Sequence, residues 1–141
     1  MRAAIVTTVK SADNLESWIR WHLSVGFAQL FIFFDDPAAD AQMLLTALAL
    51  PRVCAIGASA AYRYENNYCA LPSWPALADS VGSQVQARQR LNCEHCVQLA
   101  EERGMRWLLH IDSDELFDPG SGDGAVPAHF AALSAAGAWQ Y

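Results

Sequence analysis

Apolar and polar positions fall in blocks along this chain, and the blocks alternate between two periods. "AAIVTTV" (3–9) is short, apolar and β-branched, the pattern of a buried strand. Polar "KSADN" follows, in which Asp13 or Asn14 can cap a helix. "LESWIRWHLSVG" then spaces Leu15, Trp18, Ile19, His22, Leu23 and Val25 near-helically, with Gly26 as terminator. "AQLFIFFDD" (28–36) is a second continuous apolar run that stops at two aspartates. "PAADAQMLLTALAL" (37–50), with Pro37 in a first-turn position, predicts a second helix, and "RVCAIGA" (52–58) a third strand.

Residues 59–82 carry Tyr62, Tyr64, Tyr68 and Trp74 among prolines and a glycine without clear periodicity, which predicts an irregular aromatic loop of the kind that carries function. "SQVQARQRLNCEHCVQLAEERG" (83–104) predicts a helix with Ser83 as cap and Gly104 as stop. "MRWLLHI" (105–111) is a fourth strand that runs into "DSDELFDPG". After it come a turn, "DPGSGDG", a short helix, "VPAHFAALSAAG", and in "AWQY" (138–141) the beginning of a further strand. Strands alternating with helices imply an α/β domain with a mostly parallel sheet and helices on both faces, because parallel strands need crossovers of about a dozen residues.

Composition narrows the picture without changing it. At 141 residues, 53% of them apolar and 17% charged, the chain is one domain with a real core and is too hydrophobic to be disordered. A formal net charge of -6 with no Lys/Arg cluster argues against a nucleic-acid partner. No apolar stretch approaches the roughly 20 residues that cross a bilayer, and the N-terminus lacks a signal-peptide apolar region. The chain is expected to be soluble as given, and any membrane anchor would lie outside it. Cys54, Cys69, Cys93 and Cys96 are too few for a disulfide scaffold and read as reduced thiols. Cys93, His95 and Cys96 lack the second pair that a zinc site needs.

The candidate chemistry lies in the carboxylates at strand ends. In open α/β sheets ligands bind outside the carboxyl ends of the strands. That rule assembles Thr8, Val9 and Lys10, then Asp35 and Asp36, then Asp112 and Asp114 on one rim. Extended alternation across Asp112-Ser113-Asp114 would turn both carboxylates one way, and two such groups facing one crevice call for a cation. Hard oxygen ligands favour Mg²⁺ or Mn²⁺, which also bridge phosphate oxygens. Glu115 and Asp118 belong to the turn that leaves the strand. His22, on the helix face with Trp18, reads as a packed, hydrogen-bonded histidine. The aromatic rings of 59–82 suit either stacking on a base or sugar, or packing over the sheet.

In order along the chain, "VKSADNLESWIRWHLSVGFAQLFIFFDDPAAD" and "QARQRLNCEHCVQLAEERGMRWLLHIDSDELF" resemble the N-terminal half of a GT-A-fold glycosyltransferase, most similar to the family 2-like and family 92-like groups. The resemblance rests on an E-x-W-x-x-W/Y-H-x-x-x-G helix (Glu16, Trp18, Trp21, His22, Gly26), a second strand ending in Asp, and a W-x-L-x-I-D-x-D-E-F/L strand. It implies a Rossmann-like, GT-A-type fold and a nucleotide-sugar donor, UDP-linked, whose diphosphate is held through Mn²⁺ or Mg²⁺. It makes Asp114 the metal ligand, with Asp112 sharing the metal or touching the ribose. Asp35 or Asp36 would sit near the base, and the backbone of Thr8, Val9 and Lys10 would line the nucleotide pocket. Arg88 or Arg90 would approach the donor. The sequence departs from the family after the first strand, where Lys10-Ser11-Ala12-Asp13 replaces the usual Lys-Asn-Glu. Inverting members supply a catalytic base and the acceptor site from a downstream segment, so a glycan, lipid or protein acceptor would be met beyond Tyr141. The domain is therefore expected to be truncated at its C-terminus. A catalytically inactive nucleotide-binding or interaction domain, and a metal-dependent nucleotidyltransferase or phosphohydrolase, are the other readings of the same rim.

Overall fold

The structure, a computed structural model, describes residues 1–120 and 122–139. The strands are Ala3–Val9 (β1), Gln29–Phe34 (β2), Val53–Gly57 (β3) and Trp107–His110 (β4). The main helices are Leu15–Ser24 (α1), Ala41–Leu48 (α2), Val85–Glu102 (α5) and Val126–Ala135 (α6), and the short helices Ala60–Glu65 (α3) and Trp74–Leu77 (α4) lie between β3 and α5. All strand pairs are parallel, in the order β3-β2-β1-β4. This is the Rossmann-like α/β sheet that the alternation of blocks predicts.

β1 lies between two neighbours and is buried along its whole length, so its sequence is apolar on both faces apart from Thr7 and Thr8. The pleat sends Ala3, Ile5 and Val9 to the face covered by α1, α2 and α6, where Leu15, Trp18, Ile19, Ala47, Val126 and Phe130 meet them. Ala4 and Val6 point to the opposite face, against Cys96 and Ala100 of α5. Helices therefore cover both faces. Among the described residues no helix is long and apolar enough to cross a membrane.

Gly26 ends α1 at φ +108°, and a Cβ there would meet Pro127 Cδ at 3.0 Å and Gly124 Cα at 3.2 Å. The close approach is fixed by two backbone hydrogen bonds, from the Gly124 N–H to the Ser24 carbonyl (2.9 Å) and from the Val126 N–H to the Val25 carbonyl (2.9 Å). Only glycine satisfies both the backbone angle and the clearance.

Several local expectations are corrected. Asn14 is the N-cap residue of α1, but it adopts a left-handed conformation (φ 58°) and makes no capping bond. Pro37 lies in a turn ahead of α2, which starts at Ala41, and α5 starts after Gln84, so the Ser83 side chain does not cap it. The stretch 59–82 is mostly ordered in short helices, with 3-10 turns at Tyr68–Ala70 and Ala78–Ser80. Its order comes from tertiary contacts: Tyr68, Leu71 and Val81 form a small core with Leu91 of α5. Of the strand expected at 138–141, Ala138 and Trp139 are irregular, and Gln140 and Tyr141 lie outside the described residues.

Candidate functional site

Parallel strands bring their carboxyl ends to one edge of the sheet, and the acid-bearing ends of β2 and β4 flank that of β1. The Asp35 N–H donates to the Val9 carbonyl (3.0 Å) on one side, and the Ile111 N–H donates to the Val6 carbonyl (3.4 Å) on the other. Beside β1 a cleft of about 450 Å³ is lined by Thr8 and Lys10 from the β1 exit, Gln86 and Gln89 from the start of α5, and Asp112 and Asp114. Thr8, Lys10, Asp112 and Asp114 thus share one cavity, although Asp112 is more than a hundred residues from Thr8 in sequence.

The acidic segment does not continue as an extended strand. β4 stops at His110, and the Glu115 N–H donates to the Asp112 carbonyl (3.1 Å), closing a turn. The Asp112 N–H donates back to the Glu115 carboxylate (3.1 Å), and the Gln89 amide donates to Asp112 Oδ1 (3.3 Å). Alternation therefore fails as the reason for the grouping. The turn brings Asp112, Ser113 and Asp114 to the cleft together. Glu115 and Asp118 serve local turns, Asp118 by accepting the Gly120 N–H at 2.8 Å.

Three residues of the tryptophan-rich helix α1 hold the chain that follows. The Trp18 indole N–H donates to the Glu115 carbonyl (2.7 Å) and the Trp21 indole N–H to the Phe117 carbonyl (3.0 Å). The Phe117 N–H donates to His22 Nε2 (3.1 Å), while His22 Nδ1 faces the Trp18 carbonyl (2.9 Å). A ring nitrogen that accepts an N–H carries no proton, so His22 is the neutral Nδ1–H tautomer. Burial holds its pKa down at about 4 against the opposing pull of the Trp18 carbonyl. The helix signature and the D-x-D-E-x-F segment are thus the two halves of one hydrogen-bonded unit.

The remaining rim residues have other partners. Asp35 and Arg88 form a bidentate ion pair (2.6 and 2.7 Å) with side chains only 11% and 16% exposed, and Arg88 also donates to the Val81 carbonyl (2.9 Å). Neither lines the cleft. The carboxylate bond raises the pKa of the guanidinium further. Val9 is a core residue, Asp36 accepts the Ala39 N–H (3.1 Å), and Arg90 is exposed and paired with Glu94 on its own helix (3.0 Å). Thr8 is held from behind by a buried chain, in which the Tyr68 hydroxyl donates to Asn92 Oδ1 (2.9 Å) and Asn92 Nδ2 donates to Thr8 Oγ1 (3.0 Å). Gln86, Gln89 and Asn92 escaped the sequence reading because neutral amides on a helix carry no pattern signal. Only their spacing along one face of α5 could have marked them.

Among the described residues no three His, Cys, Asp or Glu side chains come together in a metal-binding group. Cys96 is buried in the core and His95 bonds the Tyr62 hydroxyl (3.0 Å), which leaves Cys93, His95 and Cys96 with packing roles. Two carboxylates at the mouth of a polar cleft still fit Mg²⁺ or Mn²⁺, because such an ion is held by one or two carboxylates and completes its shell with water and substrate phosphates.

Comparison with known proteins gives distant relatives of one kind. Two Arabidopsis thaliana proteins, "Glycosyltransferase-like At3g57200" and "Glycosyltransferase-like At2g41451", are each 25% identical to this chain, over 131 and 126 residues. Each alignment covers 84% of this chain but only 24% and 28% of the relative, so the chain spans about a quarter of the length of these proteins. No family model matches, and no solved structure matches. What the chain resembles is glycosyltransferase-like, which agrees with the motif order in its sequence.

Proposed function

We propose that this chain is the donor-binding part of a GT-A-type glycosyltransferase, of the family 2-like and family 92-like kind, and that the cleft at the carboxyl edge takes a UDP-sugar with Mn²⁺ or Mg²⁺. The observation that carries the reading is the meeting of Thr8, Lys10, Asp112 and Asp114 in one cleft, on a parallel sheet whose sequence is similar to glycosyltransferase-like proteins. Asp112 and Asp114 would hold the metal, which when bound offsets the charge that develops on the departing diphosphate. The Lys10 ammonium adds a positive charge from the β1 exit, and Thr8 offers a hydroxyl fixed by Asn92. Asp112 is oriented by Gln89 and by the turn to Glu115, so its carboxylate is positioned before a ligand arrives. Asp35 and Arg88 act one layer out, as an ion pair that fixes the β2 end against α5. The sugar, the acceptor and the inverting outcome belong to the whole protein.

Calorimetric titration of UDP with and without Mn²⁺, on wild type and Asp114→Ala, tests the proposal. Metal-dependent binding that falls at least about tenfold in the variant supports it. Binding that needs no metal and ignores the substitution sinks it.

A further inference from the structure

A second cavity, of about 570 Å³, opens between α3 and the chain that leads into α5. Its walls are mostly apolar: Tyr64, Tyr68 and Trp74 contribute rings and Val81 an aliphatic side. The Tyr68 hydroxyl is committed to Asn92, so this buried residue offers the cavity ring surface and no donor. Tyr64 is 88% exposed, a large ring left in water beside the others.

One group breaks this apolar character. Arg63, half-buried on α3, lines the cavity, and among the described residues no carboxylate forms an ion pair with it. Its Nη1 donates to the Ala58 carbonyl, which leaves the Nε–Nη2 edge without a protein acceptor among those residues. Asp35 attracts the guanidinium from nearby, but both of its oxygens are taken by Arg88. Burial lowers the pKa of Arg63, and the like charge of Arg88 adds to the effect. A cation drawn partly out of water without a counter-charge is costly, and an anion at its free edge relieves that cost. The Nε–Nη2 edge is the two-pronged face that meets a carboxylate through two parallel hydrogen bonds. Glu65, the one acid of the lining, is exposed, so water screens it.

We infer that the cavity beside α3 binds a small aromatic carboxylate, with its ring against Tyr64, Tyr68 and Trp74 and its carboxylate on Arg63. The inference goes beyond the donor reading and stands without it, because the two cavities have no lining residue in common.

The probe is naphthalene-2-carboxylate, compared with its uncharged counterpart, naphthalene-2-carboxamide. Saturation-transfer NMR should detect the bound carboxylate, and calorimetry should find it at least about fivefold tighter than the amide. The exposed Cys69 lines the same cavity, so the bound carboxylate should slow its labelling by iodoacetamide at least about threefold. Arg63→Gln should bring carboxylate and amide to equal affinity. Tyr64→Ser, at a position too exposed to support the fold, should weaken carboxylate binding at least about threefold and leave the melting temperature and UDP titration unchanged. That variant decides the matter if Arg63→Gln does not fold. Absence of saturation transfer, unchanged labelling of Cys69, or equal binding of carboxylate and amide by the wild type overturns the inference. Carboxylate affinity that Tyr64→Ser leaves intact does the same. Protection of Cys69 by UDP also overturns it, since the cavity would then be part of the donor site.

Discussion

His22 Nε2 accepts the N–H of Phe117, 95 positions away, and this bond ties α1 to the segment that carries the aspartates. It can form only while the imidazole is neutral, since a protonated ring has two donors and no acceptor. The folded pKa of about 4 lies below the ordinary value of 6.5, so the unfolded chain takes up the proton first as pH falls. Stability from this site is therefore complete above about pH 6.5 and is lost between there and about pH 4, on the order of 3 kcal/mol in all. His95, also held down by burial, contributes with the same sign. Urea unfolding of wild type and His22→Gln at about pH 7.5 and about pH 4.5 separates the two. The variant should be less stable at the higher pH and lose less on acidification. An equal pH dependence in both would show that His22 does not set it.

The Asp35–Arg88 pair makes a second prediction, because it is bidentate and mostly shielded from water. Removing one partner leaves the other charge partly buried, which costs about 2–4 kcal/mol after allowance for the remaining solvent contact. Asp35→Leu and Arg88→Met should each destabilise by that order, and the double variant by clearly less than their sum. Arg88→Lys should not rescue, since a lysine cannot reproduce the two-point contact or reach the Val81 carbonyl at the same time. Denaturant unfolding of the four proteins closes the cycle. Strict additivity would mean that the pair contributes no coupling.

Much of this architecture was legible because the buried strands declare themselves. From Leu30 onward β2 is an unbroken apolar run, and β1 is one broken only by Thr7 and Thr8; a run that lengthens neither into a helix nor into alternation has to be covered on both faces. The aspartates that end β2 and follow β4 could be placed on one rim by topology alone. What topology could not supply was the division among them. Asp35 is taken by an arginine 53 positions away, and Asp112 and Asp114 meet through a turn whose closing bond, from Glu115 to Asp112, has no sequence period. The 59–82 stretch reads as irregular because its helices are too short to show a 3.6-residue pattern, and Leu91 and Asn92, far downstream, hold it in place.

Thiol chemistry follows the same burial. Cys69 is exposed, whereas Cys93 and Cys96 have pKa values raised first by burial, so little reactive thiolate forms at neutral pH. Iodoacetamide labelling read by mass spectrometry should modify Cys69 first and leave Cys96 unmodified until urea opens the core. Early labelling of Cys96 would mean that α5 does not stay packed on the sheet.

Thr8 provides the sharpest link between interior and cleft. Its Oγ1 accepts the Asn92 amide at 3.0 Å, so its own proton is free to turn toward a ligand, and Asn92 in turn is fixed by the Tyr68 hydroxyl at 2.9 Å. Tyr68→Phe deletes the donor and leaves Asn92 Oδ1 buried without that partner, a loss of about 1–3 kcal/mol. Asn92→Leu keeps the volume but strands the Tyr68 hydroxyl and unfastens Thr8. Combining the two removes the polar chain as a unit, and stability should recover part of the sum. UDP affinity should not recover with it, because the rotor of Thr8 stays unrestrained in the double variant, and a drop of about threefold to tenfold is expected there. Thermal unfolding and UDP titration on the same three variants separate these effects. A double variant that regained UDP affinity along with stability would show that Asn92 supports the fold alone and does not orient the cleft.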